Sequence, residues 1–108
     1  MGKSATFEKL LAAGRDDALL RFALGQAYLE DGDTDAAITH LAAAIAHDKC
    51  YSAAWKLLGR AQLAGGLKEE AMRTWSEGIT VANGNGDRQA AKEMTVFLRR
   101  LQKQAGSG

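Results

Sequence analysis

The strongest constraint on this chain is a period: displaced by 34 residues, the sequence falls on itself. Leu24 lands on Leu58, Gly25 on Gly59, Ala27 on Ala61 and Leu29 on Leu63. Further along, Gly32 meets Gly66, Ala37 meets Ala71 and Ile45 meets Ile79, while Ile38 and Leu41 meet Met72 and Trp75. Agreement concentrated at small and apolar positions marks one structural unit used twice. Such units cannot bury their apolar faces alone, so they stack.

Each copy reads as two helices. In the first, Leu20, Leu24, Ala27, Tyr28 and Leu29 mark one face at helical spacing. Gly32 predicts the helix stop, because glycine enters the left-handed conformation without a Cβ penalty. Asp33, Thr34 or Asp35 then caps a second helix whose stripe is Ala37, Ile38, Leu41, Ala44 and Ile45. The second copy repeats the plan with Ala54, Trp55, Leu58, Ala61 and Gln62, a Gly65-Gly66 stop, and then Ala71, Met72, Trp75, Gly78 and Ile79. Small residues at Gly25, Ala37, Gly59 and Ala71 allow paired helices to approach closely.

In these features the chain resembles the tetratricopeptide repeat family, whose unit is a 34-residue helix–turn–helix. Counted from Ala18 and Ser52, the family's fourth, seventh, eighth and eleventh positions are Arg21, Leu24, Gly25 and Tyr28, then Trp55, Leu58, Gly59 and Gln62. Its twentieth and twenty-seventh are Ala37 and Ala44, then Ala71 and Gly78. Three departures stand out. The usual late proline is replaced by Lys49 and Asn83, Arg21 sits where a large apolar residue is usual, and Gln62 replaces a tyrosine. The last change predicts looser packing between units.

The flanks fit the same frame. Phe7 maps onto Leu41 and Leu10-Leu11 onto Ala44-Ile45, so residues 4–13 read as the second helix of a truncated unit. Gly14 ends it, and Asp16 or Asp17 caps the next helix. Asp87 caps a final helix over 87–104, with apolar Ala91, Met94, Leu98 and Leu101. With a two-residue insertion, this is the first helix of a third unit. The expectation is an all-α fold: one domain over 1–108, a short right-handed α-solenoid of about six helices. Its complete units are 18–51 and 52–85, and 105–108 form a flexible tail.

Composition narrows the function classes. Fourteen Lys and Arg against thirteen Asp and Glu leave a charge of +1, no general reason to expect nucleic acid or an anionic membrane. The basic final helix lacks the aromatic–glycine pattern of RNA readers. Cys50 is the only cysteine, so no internal disulfide forms. No signal-like segment opens the chain, and the longest apolar run, Leu41 to Ala46, is far too short to span a bilayer. A cytoplasmic protein is the expectation.

An enzyme is not expected, because no catalytic constellation is present. His40 and His47 lie about 10 Å apart along a helix, too far to share one ion easily, and the repeat frame puts both on the outer surface. Asp31-Gly-Asp33-Thr-Asp35 imitates a calcium loop, but Ala36 and Ala42 hold the places of its glycine and final glutamate. Gly84-Asn-Gly86 has no preceding strand and reads as a turn. Cys50 has no triad histidine. No cofactor or metal is expected.

The resemblance implies instead a concave groove lined by the first helix of each unit, where another protein or peptide binds. The corresponding residues are Leu19, Phe22, Gln26 and Leu29, then Ala53, Lys56, Arg60 and Leu63, then Gln89, Lys92, Val96 and Arg99. One end is apolar through Phe22 and Leu29. The other carries Lys56, Arg60, Lys92 and Arg99, with no acidic residue in the set, which favours an acidic side chain or C-terminal carboxylate in the partner. The alternative is a self-assembly unit: Val96 and Phe97 add apolar surface to the last helix, a candidate homodimer seam.

Overall fold

A computed structural model describes residues 2–107, with side chains through Gln104. It contains α1 (Lys3–Ala12), α2 (Ala18–Glu30), α3 (Thr34–His47), α4 (Ser52–Ala64), α5 (Lys68–Gly84) and α6 (Arg88–Ser107), with no strand among the described residues. Each helix packs on its neighbour in sequence, and the first helices of adjacent units also meet, α2 on α4 and α4 on α6. The result is an all-α helical-repeat stack measuring 46 × 31 × 17 Å.

Local chemistry sets the boundaries. Asp17 caps α2 by accepting from the Leu20 amide at 2.8 Å, and Asp33 caps α3 through the Ala36 amide at 3.2 Å. Gly32 and Gly66, one repeat apart, adopt φ of 83° and 82°, the left-handed conformation that turns the chain between the helices of each unit. The last helix departs from expectation. It continues past 104 to Ser107. Of the expected tail, Gly108 lies outside the described residues.

Inside each unit the two helices touch across a glycine. A Cβ on Gly25 would lie 2.4 Å from Leu41 Cγ, and one on Gly59 would lie 2.2 Å from Trp75 Nε1. Gly78 allows close approach both across units, where a Cβ would meet Met94 Sδ at 2.7 Å, and within its own, where it would meet Trp55 Cβ at 2.9 Å. Two clusters fill the stack. Ala37, Leu41, Leu58 and Ala61 join α3 to α4, while Trp55, Trp75, Met94 and Leu101 tie α4 and α5 to α6.

Gln62 finds a polar partner inside its own unit. It is buried, and its Oε1 accepts from the Thr74 hydroxyl at 2.7 Å, so amide and hydroxyl satisfy each other where an apolar contact is usual. Thr74→Val is therefore expected to cost about 1–3 kcal/mol, because it strands that amide oxygen in the core. Combining it with Gln62→Leu should recover most of the loss. Urea denaturation of both variants checks this, and equal losses would contradict it.

Candidate functional site

The first helices carry the expected groove residues, several of which line separate depressions. Gln26, Leu29 and Arg60 meet in a cleft of about 310 Å³ between α2 and α4, together with Glu30 and Leu57. Lys92, Val96 and Arg99 line a larger basin of about 680 Å³ on α6. Leu63 borders a third hollow of about 200 Å³ with Trp75 and Phe97. Phe22 is half-buried, its ring stacked on Tyr51 at 5.0 Å.

One electrostatic expectation changes, and so does one about apolar surface. Lys56 is not an unopposed cation, because its Nζ lies 2.7 Å from Glu93 Oε1 across the α4–α6 contact. The partner sits one unit further on, just beside the concave row, so reading that row alone overlooks it. Arg60, by contrast, is exposed, and the carboxylate in its cleft, Glu30, has Lys3 at 3.7 Å. Phe97 is also not surplus surface. Its ring tilts against Trp75 at 5.2 Å, which leaves Val96 as the exposed large apolar residue of α6.

Both histidines join a polar cluster; His47 is exposed as expected, whereas His40 is not on the outer surface. His40 is buried and stacks on Tyr28, rings 5.4 Å apart and nearly parallel. Arg21 holds Asp16 with two hydrogen bonds of 2.8 and 3.0 Å and donates to His40 Nδ1 at 3.1 Å. An arginine only donates, so Nδ1 is the unprotonated nitrogen and the neutral ring carries its hydrogen on Nε2, toward Glu8 at 3.8 Å. Tyr28 donates to the same Glu8 at 2.5 Å, and His47 lies 2.9 Å from Asp16. This explains the arginine at position 21: it links the α1–α2 turn to α3. The α1 helix buries no residue of its own, and these contacts hold it to the stack.

No group of three or more His, Cys, Asp or Glu placed to hold a metal occurs among the described residues, and no helix there is long and apolar enough to cross a membrane. Fold and surface thus define a helical-repeat scaffold that presents side chains from parallel first helices. The family model described as tetratricopeptide repeat matches residues 4–50 and 22–87. A TPR repeat-containing protein of Pseudomonas aeruginosa is 51% identical over 96 residues, covering 89% of this chain and 91% of that protein. The solution structure of a Bordetella parapertussis protein superposes with a TM-score of 0.84 at 42% identity, covering 96% of this chain and 90% of that one. The chain belongs to the tetratricopeptide repeat family, whose repeats generally mediate protein–protein interaction and are generally not catalytic.

The polar cluster makes stability depend on pH in a defined direction. Burial lowers the His40 pKa below the ordinary imidazole value of 6.5, so the folded state binds fewer protons there than the unfolded chain. That contribution is present above about pH 6.5 and is lost as pH falls below it. The Arg21 and His47 hydrogen bonds hold Asp16 far below 3.8, so its contribution is lost at still lower pH. The Glu8 hydrogen bond pushes the Tyr28 phenol up to about 12 from 10.0, a contribution lost as pH rises through that interval. The melting temperature should therefore fall between about pH 7 and 5, and His40→Gln should flatten that limb. A variant with the wild-type slope would contradict the assignment.

Proposed function

We propose that this protein is a non-catalytic cytoplasmic interaction module that holds an acidic peptide or protein segment along the surface of α2, α4 and α6. Phe22, Leu29 and Leu63 supply apolar anchorage, and Gln26 a hydrogen-bonding edge. Arg60 offers a bidentate fork to a carboxylate. Lys56 joins by exchanging Glu93 for a carboxylate of the partner, while Lys92 and Arg99 extend the basic end. The observation that carries this reading is the α2–α4 cleft, where exposed Arg60 stands over Leu29 and Leu57 in one depression. A cleft that brings one arginine together with two leucines, its Glu30 carboxylate paired with Lys3, fits a partner carboxylate beside an apolar side chain.

The surface of α6 favours a homodimer seam less. With Phe97 engaged by Trp75, Val96 stands between Lys92 and Arg99, and a two-fold pairing of α6 would set these cations against their own copies.

Fluorescent peptides matched in hydropathy, one set bearing Asp and Glu and the other Asn and Gln, test the reading by anisotropy. The acidic set should bind more tightly, and Arg60→Glu should weaken it at least about tenfold, or about 1.4 kcal/mol. Equal affinity for the two sets would contradict it.

A further inference from the structure

The basin on α6 occupies a definite place in the repeat. With the two-residue insertion, Thr95 corresponds to Gly25 and Gly59, and Ala91 to Arg21 and Trp55. In both complete units the glycine of this pair is where the second helix crosses most closely, against Leu41 and Trp75. Among the described residues no second helix follows α6, and this face of α6 opens instead into the 680 Å³ basin, which Asn83 of α5 also lines. Ala91, Thr95 and Val96 are its smaller and less polar lining residues. The Thr95 hydroxyl donates to the Ala91 carbonyl at 2.7 Å, so it is already engaged within the helix.

The rim is basic. Arg88, Lys92 and Arg99 line the basin, and no carboxylate does. The two acidic residues nearest in sequence are engaged elsewhere: Asp87 caps the Ala90 amide at 3.1 Å, and Glu93 turns to Lys56. Arg88 also lies in the first turn of α6, which holds no acidic residue, where the positive end of the helix disfavours a cation. A second copy of this chain is a poor occupant. Its α1, the other half unit among the described residues, brings Lys3 and Lys9 against the single carboxylate of Glu8, which already meets Tyr28 and His40.

We infer that this face binds an acidic amphipathic helix of another protein, seated where the second helix of the third unit would lie. Thr95 in place of glycine keeps the visiting helix farther out than α3 or α5 lie from their partners. Its crossing residue is therefore small, an alanine or serine, and glutamates on either side reach Arg88, Lys92 and Arg99. This goes beyond the concave reading, sharing with it only Lys92, Val96 and Arg99. Arg88, Ala91 and Thr95 belong to the basin alone and Arg60 to the α2–α4 cleft alone.

The test uses a synthetic helical peptide with an alanine–leucine stripe flanked by glutamates, and a scrambled peptide of the same composition. Both are titrated into the isotopically labelled full chain, and amide chemical shifts locate the contact. The helical peptide should perturb Ala91, Thr95 and Val96. Arg88→Glu/Arg99→Glu should weaken it at least about tenfold, Arg60→Glu by less than about twofold, and added salt should weaken it further. Binding by the scrambled peptide with equal affinity would overturn the inference, because charge alone would then suffice. Shifts confined to α2 and α4, lost in Arg60→Glu, would overturn it while upholding the concave reading. No perturbation of α6 by the helical peptide would also overturn it.

Discussion

The structure depends on one contact: the indole of Trp75 lying against the bare backbone of Gly59. Without a Cβ at residue 59, α5 comes close enough for Trp75 Nε1 to donate to the Lys56 carbonyl at 3.0 Å. The same ring then offers a surface for Phe97, which docks α6. Trp55 makes the matching link on the other side, its Nε1 donating to the Lys49 carbonyl at 2.8 Å where the first unit ends and the second begins. Two indole hydrogen bonds thus tie three consecutive segments in register, and the glycines allow the helix spacing on which both depend.

That spacing decides what is left for function. Once Trp55, Trp75, Met94 and Leu101 are buried between α4, α5 and α6, the outward row of each first helix is free to carry charge. Some of that charge is internal wiring. Lys56 with Glu93 fastens α4 to α6, and the Arg21, Asp16 and His40 cluster fastens the α1–α2 turn to α3. What remains outward is Arg60 in its cleft and the Arg88, Lys92 and Arg99 rim of the α6 basin. A scaffold of this kind separates the residues that hold it together from those that face a partner, although both kinds carry the same charges.

Much of the fold was legible because the 34-residue period records positions, not contacts. Gly25 and Gly59 repeat, so their shared geometry does too, and the helix stops at Gly32 and Gly66 follow from the same register. The exceptions were harder. Arg21 and Gln62 break the pattern, and each is explained only by a partner elsewhere, Asp16 with His40 for one and Thr74 for the other. The candidate site was legible as a row of residues, not as a surface. Pairing across units, as between Lys56 and Glu93, depends on where two helices lie side by side. Reading the neighbouring column of adjacent units, rather than the concave row alone, would have shown it.

The central claim, that the absence of a Cβ at residue 59 sets the helix spacing, is tested most directly by a double-mutant cycle between Gly59→Ala and Trp75→Val. With Trp75 present the alanine must push the helices apart, a cost of about 1–3 kcal/mol despite a helix propensity that favours alanine by about 1 kcal/mol. With valine at 75 the indole atoms that the new methyl would strike are gone, and the same substitution should be neutral or stabilising. The account predicts this reversal, a coupling of at least about 1 kcal/mol in denaturant unfolding. Additive effects, with alanine equally harmful in both backgrounds, would contradict it.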